Sequence, residues 1–242
     1  IFDVASGEDE FDATSANIEF NSENDLNSFT AAVLKKEALA KCSKEVKEEY
    51  GQLIGKLEEA GVETIEIDFE SRDLWLAAYY IISAAEASSN LARFDGMRYG
   101  LRKDESGKDF FSANRSEGFG DEVKRRIMTG TFVLSEGYRE KYFEKAMKAR
   151  RFVYNEYSEI FKKADVICMP TAPFPPFKLG DKYGKPVDMY EADYFTAAAN
   201  LAGIPAISIP VGTTENGLPI GMQLQSSRYN DKKLLNLSKK IR

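Results

Sequence analysis

Residues 43–69 read SKEVKEEYGQLIGKLEEAGVETIEIDF, and two periodicities within them decide the fold class. Ser43 stands ahead of Val46, Tyr50, Leu53, Leu57 and Ala60, apolar positions in steps of four and three that line one helix face behind a serine cap. Gly61 stops that helix. From Thr64 to Phe69 polar and apolar residues then alternate, which is the pattern of a half-buried strand. Helix, glycine stop and strand together form the repeating unit of an α/β layer fold.

Upstream of this unit the signal fades. Val33-Leu34 is a short apolar step, and residues 1–30 are polar, with no sustained apolar period. They read as a linker or surface segment, with residues 31–242 as the structured remainder. Downstream, 74–91 is rich in Ala and other apolar residues without Gly or Pro, which predicts a largely buried helix broken near Asp95-Gly96. Residues 102–120, charged and glycine-bearing, read as a loop. Asp121 to Leu134 resumes a helical pattern, and a long amphipathic helix is predicted over 138–163. The last third changes character, with strand-like runs at 166–169, 206–211 and 222–224 beside Pro or Gly, and one helix between them. The Pro-rich stretch 170–176 directly follows a strand and reads as a rigid turn at a strand end, where α/β folds bind ligands.

The 242 residues are 43% hydrophobic, enough to bury a sizeable core, and carry 33 Lys plus Arg against 39 Asp plus Glu, a net charge of −6. That balance argues against a surface devoted to nucleic acid, so any RNA contact has to be local. With no histidine, a Ser-His-Asp or Cys-His hydrolytic site made from these residues is excluded. Two cysteines, Cys42 and Cys168, are too few for a Cys-rich zinc site and read as reduced structural thiols of a cytosol-like compartment. No apolar stretch reaches membrane-spanning length, and the acidic start at Ile1 looks internal to a longer chain. No metal-ligand cluster, phosphate loop, dinucleotide fingerprint or Gly-x-Ser-x-Gly elbow occurs.

Candidate functional residues are polar groups in unexpected company. Glu86, Ser88, Ser89 and Asn90 sit in an apolar helix, where the simplest role is to cap or cross-link helices. Lys124-Arg125-Arg126 is a basic triplet, and successive helix positions diverge by about 100°, so at most one or two of its members can face a pocket. It is a solvated basic face, a site for an acidic partner or a substrate clamp, and arginine is the side chain suited to grip a carboxylate through two parallel N–H···O bonds. Asp193, ahead of an apolar run, is either an ordinary helix-end acid or a carboxylate for an amino acid's α-ammonium.

Four stretches carry a resemblance: EASSNLARFDGMRYG at 86–100, EGFGDEVKRRIM at 117–128, NLAGIPAISIP at 200–210 and GLPIGMQL at 217–224. With the opening IFDVASG at 1–7 and DATS at 12–15, they resemble the A subunits of aminoacyl-tRNA amidotransferases, within the amidase signature family. The resemblance implies a mixed β-sheet sandwiched by helices. It also implies a glutaminase half-reaction, in which a serine attacks the glutamine amide and the ammonia released passes to a B subunit. There an ATP- and Mg-dependent step uses it to convert Glu-tRNA(Gln) to Gln-tRNA(Gln), and in many organisms of the family also Asp-tRNA(Asn) to Asn-tRNA(Asn), with the choice between the two acceptors left open by the sequence. A C subunit is the expected further partner, with cytoplasm or organellar matrix as the compartment and no membrane.

The family's catalytic unit is a Lys, a cis-Ser and a nucleophilic Ser in a Gly/Ser-rich stretch, which this sequence lacks. The chain therefore reads as the C-terminal half of the amidase domain, without a catalytic residue of its own and inactive alone. Carried over by position, Arg126 would hold the glutamine α-carboxylate and Asp193 its α-ammonium, while Tyr79 or Tyr80 would line the same pocket. No cofactor or metal is implied in this chain. A stand-alone amidase of the same family and a non-catalytic scaffold derived from the fold are the competing readings. A Gly/Ser-rich stretch with two serines, and a lysine ahead of it, would remove the scaffold.

Overall fold

A computed structural model describes residues 6–17, 29–104, 107, 109–181 and 189–241. Much of the expected surface segment 1–30, namely 1–5 and 18–28, lies outside the described residues. Residues 6–17 form exposed turns, closed where the Ser15 hydroxyl accepts from Asp9 N–H at 2.8 Å.

In chain order the principal elements are β1 (Thr30–Leu34), α1 (Lys44–Glu59), β2 (Glu63–Ile67), α2 (Trp75–Asn90), α3 (Phe110–Gly118), α4 (Asp121–Leu134), α5 (Phe143–Ile160), β3 (Val166–Pro170), α6 (Thr196–Ala202), β4 (Ala206–Thr213), β5 (Pro219–Gln225) and α7 (Asp231–Ile241). They divide into two compact units. The first takes residues 1–69, 156–199 and 203–242, the second 70–155 and 200–202.

The first unit is built on a five-stranded sheet of order β2-β1-β3-β5-β4. The β2, β1 and β3 strands are parallel neighbours, while β5 runs antiparallel to both β3 and β4, so the sheet is mixed as expected. Parallel pairing of β1 with β2 needs a crossover, and α1 supplies it. Ser43 caps α1 by accepting from Val46 N–H at 3.4 Å, and Val46, Tyr50, Leu53 and Leu57 are its buried face. At the far end Gly61 takes a φ of +77°, a conformation that suits glycine, and Val62 N–H turns back to Leu57 O at 2.9 Å.

The centre of the sheet explains why β3 reads as a continuous apolar run: Val166, Ile167, Cys168 and Met169 are all wholly inaccessible, as in strands covered on both faces. Tyr50 spans two strands there. Its hydroxyl accepts from Leu34 N–H at 2.7 Å and donates to Cys168 O at 2.9 Å. Burial pushes the Tyr50 phenol well above its ordinary pKa despite the bond from Leu34, so it remains a neutral donor.

The β1 strand extends beyond the Val33-Leu34 step that the sequence signals, because TAAVL offers two alanines and neither alternation nor length. The α7 helix is an addition to the predicted elements. Strands β4 and β5 extend a few residues past their predicted bounds and form a hairpin.

The second unit is helical. Within it α2 and α4 pack so closely that a Cβ on Gly130 would collide with Ala84 O. One turn further along α2, Ser88 Oγ meets Thr131 Oγ1 at 2.9 Å, the helix cross-link expected of that serine. The predicted loop 102–120 is a correction, since it contains α3. Asp109 Oδ2 caps α3 by accepting from Ser112 N–H at 2.8 Å, and buried Asn114 bonds the Lys103 backbone through both polar side-chain atoms, at 2.6 and 2.8 Å. Arg115 Nη1 ties the helix to Leu91 O and Phe94 O, at 3.0 and 3.1 Å. These are tertiary bonds, with no periodic apolar face to announce them. The helix predicted from 138 becomes regular only at Phe143, because Gly137 adopts a φ of +77° and Tyr138 packs on Phe132 at 4.3 Å between centroids.

Candidate functional site

In the second unit Arg126 sits in the middle of α4, half-buried. Its guanidinium carbon lies 5.7 Å from the Tyr80 ring centroid, within cation–π reach. On its other side Nε donates to Glu122 Oε1 at 3.0 Å, one helical turn earlier. The second oxygen of Glu122 is engaged by Arg125. The basic triplet is thus divided as helical geometry requires: Arg125 is an exposed partner of Glu122, Arg126 turns toward α2, and Lys124 lines a separate shallow groove with Phe111, Phe119 and Met128.

Of the two tyrosines, Tyr80 lies against Arg126, and Tyr79 meets Tyr80 edge-on at 5.2 Å. The contact follows from the helix crossing. Tyr80 and Arg126 each lie one turn before the partners in the next contact, Ala84 and Gly130, so the close approach at Gly130 fixes the distance at which Arg126 meets the ring.

In the first unit Asp193 closes a 3-10 turn, Glu191–Asp193, just ahead of α6. It is half-buried and followed by buried Tyr194 and Phe195. Its carbonyl accepts from Thr196 Oγ1 at 3.2 Å. The ordinary helix-end reading is therefore adjusted by one short turn, with the carboxylate standing ahead of the helix and not within its first turn.

Beside it, through Ala192, opens a cavity of about 420 Å³. The 170–176 turn, expected at a ligand-binding strand end, supplies Thr171 and Phe174 to its wall, which Ser208, Pro210 and Ile220 also line. Thr171 Oγ1 and Ser208 Oγ are 2.7 Å apart, a hydroxyl pair in an otherwise apolar lining. Sequence reasoning misses this pair. Its signal is weak, a polar residue directly after a buried strand.

Both cysteines are buried, and burial pushes the Cys42 thiol up to about 11 and the Cys168 thiol to about 12, so neither is an activated nucleophile. Among the described residues no group of three or more His, Cys, Asp or Glu could hold a metal ion, and no helix is long and apolar enough to cross a membrane.

Comparison with known proteins fits this frame. The chain is 47% identical over 250 residues to the A subunit of glutamyl-tRNA(Gln) amidotransferase from Sulfolobus acidocaldarius, an alignment covering 100% of this chain and 52% of that protein. It matches the crystal structure of the corresponding A subunit from Thermotoga maritima with a TM-score of 0.73 and 35% identity, over 97% of this chain and 47% of that one. A bacterial aryl acylamidase of the amidase signature enzymes shares the fold at a TM-score of 0.72 and 19% identity, over 97% of this chain and 48% of that one. The chain thus spans about half the length of the curated relatives it matches. The family described as Amidase matches residues 1–235, nearly the whole sequence, and the chain belongs to that family.

Proposed function

We propose that these residues form the glutamine-binding part of the A subunit of a tRNA-dependent amidotransferase. In the complete enzyme, glutamine and water give glutamate and ammonia. The ammonia then amidates an activated glutamyl-tRNA(Gln), and in the same manner aspartyl-tRNA(Asn). Arg126 takes the glutamine α-carboxylate, Asp193 takes the α-ammonium, and Tyr80, with Tyr79 against it, walls the Arg126 site. The Lys and two Ser of the hydrolytic unit come from outside these residues. The B subunit, with the C subunit, receives the ammonia and uses ATP and Mg²⁺, in the cytoplasm or an organellar matrix.

The observation that carries this reading is the setting of Arg126. A guanidinium half-withdrawn from water, faced by an aromatic ring and held by a carboxylate, is arranged to bind an anion with defined orientation. The relatives named as the A subunit of glutamyl-tRNA(Gln) amidotransferase support the choice of anion, an amino acid bearing a side-chain amide. Ammonia release from glutamine by the full chain, assembled with its partner subunits, is the test. Lysine keeps the charge of Arg126 and loses the planar fork, so Arg126→Lys is expected to raise the glutamine KM more than about tenfold, the loss of roughly 1.4 kcal/mol. An unchanged KM and kcat would remove Arg126 from the site.

A further inference from the structure

Glu122 and Arg126 form an ion pair one turn apart on α4. An exposed i, i+4 pair adds little to stability, and both members here keep contact with water, at 44% and 35% exposure. Its geometry is nevertheless selective. Glu122 Oε1 takes the Nε–H of Arg126, the donor at the root of the guanidinium, whose engagement fixes how the plane rolls about the side chain. The Tyr80 ring bounds the same guanidinium at 5.7 Å from the side of α2. Glu122 is itself restrained, because its other oxygen pairs with Arg125. It stands in the first turn of α4, where the helix dipole favours a carboxylate.

We infer that Glu122 is a positioning residue for substrate recognition. It holds the Arg126 guanidinium at the angle that presents a two-pronged grip to a ligand carboxylate, and it does not touch the ligand. This rests on the reading of Arg126 as the carboxylate-binding residue. A bidentate grip tolerates little angular error, so an arginine without its Nε anchor binds the same carboxylate more weakly while leaving the reacting amide unaffected. The signature is therefore in KM and not in kcat. Arg125 shares Glu122 but is exposed, and its removal leaves the Nε contact of Arg126 intact.

The experiment compares Glu122→Ala, Glu122→Gln and Arg126→Lys in the full chain with its partner subunits, measuring ammonia release over a range of glutamine concentrations alongside thermal unfolding. Glu122→Ala is expected to raise the glutamine KM about three- to fivefold, the worth of one partly exposed charged contact, with kcat within about twofold of the parent. Glu122→Gln, which keeps an acceptor oxygen for Nε, is expected to recover most of that loss. A Glu122→Ala enzyme with unchanged KM would overturn the inference, whatever its melting temperature. So would a Glu122→Gln enzyme no better than the alanine variant. If Arg126→Lys raises KM while Glu122→Ala does not, the reading of Arg126 stands and the positioning role alone falls. If neither changes KM, the reading of Arg126 fails and takes this one with it.

Discussion

Asp193 and Asp165 are both half-buried carboxylates of the first unit, and their surroundings differ. Asp193 stands half-buried in a turn beside a cavity, whereas Asp165 closes the sheet by receiving Thr30 N–H at 2.9 Å and Lys233 Nζ at 2.5 Å. Replacing Asp193 with Asn in the full chain is expected to weaken glutamine binding more than binding of an analogue lacking the α-ammonium, as competition measurements would read. Equal losses for both ligands would leave Asp193 a structural residue. For Asp165, burial works to raise the pKa, but the bonds from Lys233 and Thr30 outweigh it and hold the carboxyl below its usual value. A depressed folded pKa means stability that is present above the ordinary carboxylate pKa and lost as pH falls through the depressed value. Asp165→Asn should therefore cost up to about 1 kcal/mol near neutral pH, discounted for partial exposure, and the gap should close in acid. Denaturant unfolding at neutral and strongly acidic pH checks this, and a gap independent of pH would refute it. Neither role is legible from composition. Asp193 stands out by resemblance, whereas Asp165, whose partner Lys233 is 68 residues away, carries no signal in its own stretch of sequence.

Between elements, the contact that matters most is the crossing of α2 and α4. Glycine inside a helix normally costs about 1 kcal/mol relative to alanine, so Gly130→Ala would stabilise an isolated α4. Here the added methyl would overlap the Ala84 carbonyl and come within 2.6 Å of Ser88 Cβ, and backbone atoms cannot rotate away. Overpacking of this kind costs roughly 1–3 kcal/mol, so the collision outweighs the propensity gain. Gly130→Ala in the full chain is expected to lower the melting temperature, and by prising the helices apart to raise the glutamine KM as Arg126 withdraws from Tyr80. A variant as stable as the parent would show that the crossing can relax. The sequence carries the helices but not this crossing. A regular amphipathic period marks α1, which buries Val46, Tyr50, Leu53 and Leu57 on one face, whereas α4 buries only Gly130 and Val133. The α3 helix is held by Asn114 and Arg115 reaching to backbone carbonyls, and polar tertiary bonds leave no period to read.

Across the whole molecule, the described residues show no histidine- or thiolate-based nucleophile. With no histidine, two inert thiols and no Gly/Ser-rich stretch bearing paired serines, these 242 residues alone are expected to release no ammonia from glutamine. Turnover by the purified 242-residue protein would overturn that expectation and relocate the nucleophile. The α/β class is readable because residues 43–69 hold both periods side by side. The strand order is not, because β1 takes β3 as a neighbour through pairs such as Val33 with Cys168, and no local pattern records so distant a choice.

That distant pairing sets a timetable for synthesis. Once β2 has left the ribosome, β1 must wait for β3 while residues 68–165, which hold most of the helical unit, are translated, about 5–20 seconds at 5–20 residues per second. Helices with local contacts close in micro- to milliseconds, so the unit holding Arg126 can fold before β3 is available to pair with β1. For those seconds Ala31, Ala32 and Val33, which end almost wholly enclosed, present an unpaired apolar edge. The interval before β3 arrives is when a nascent chain of this topology is most open to capture by a chaperone or by another copy of itself.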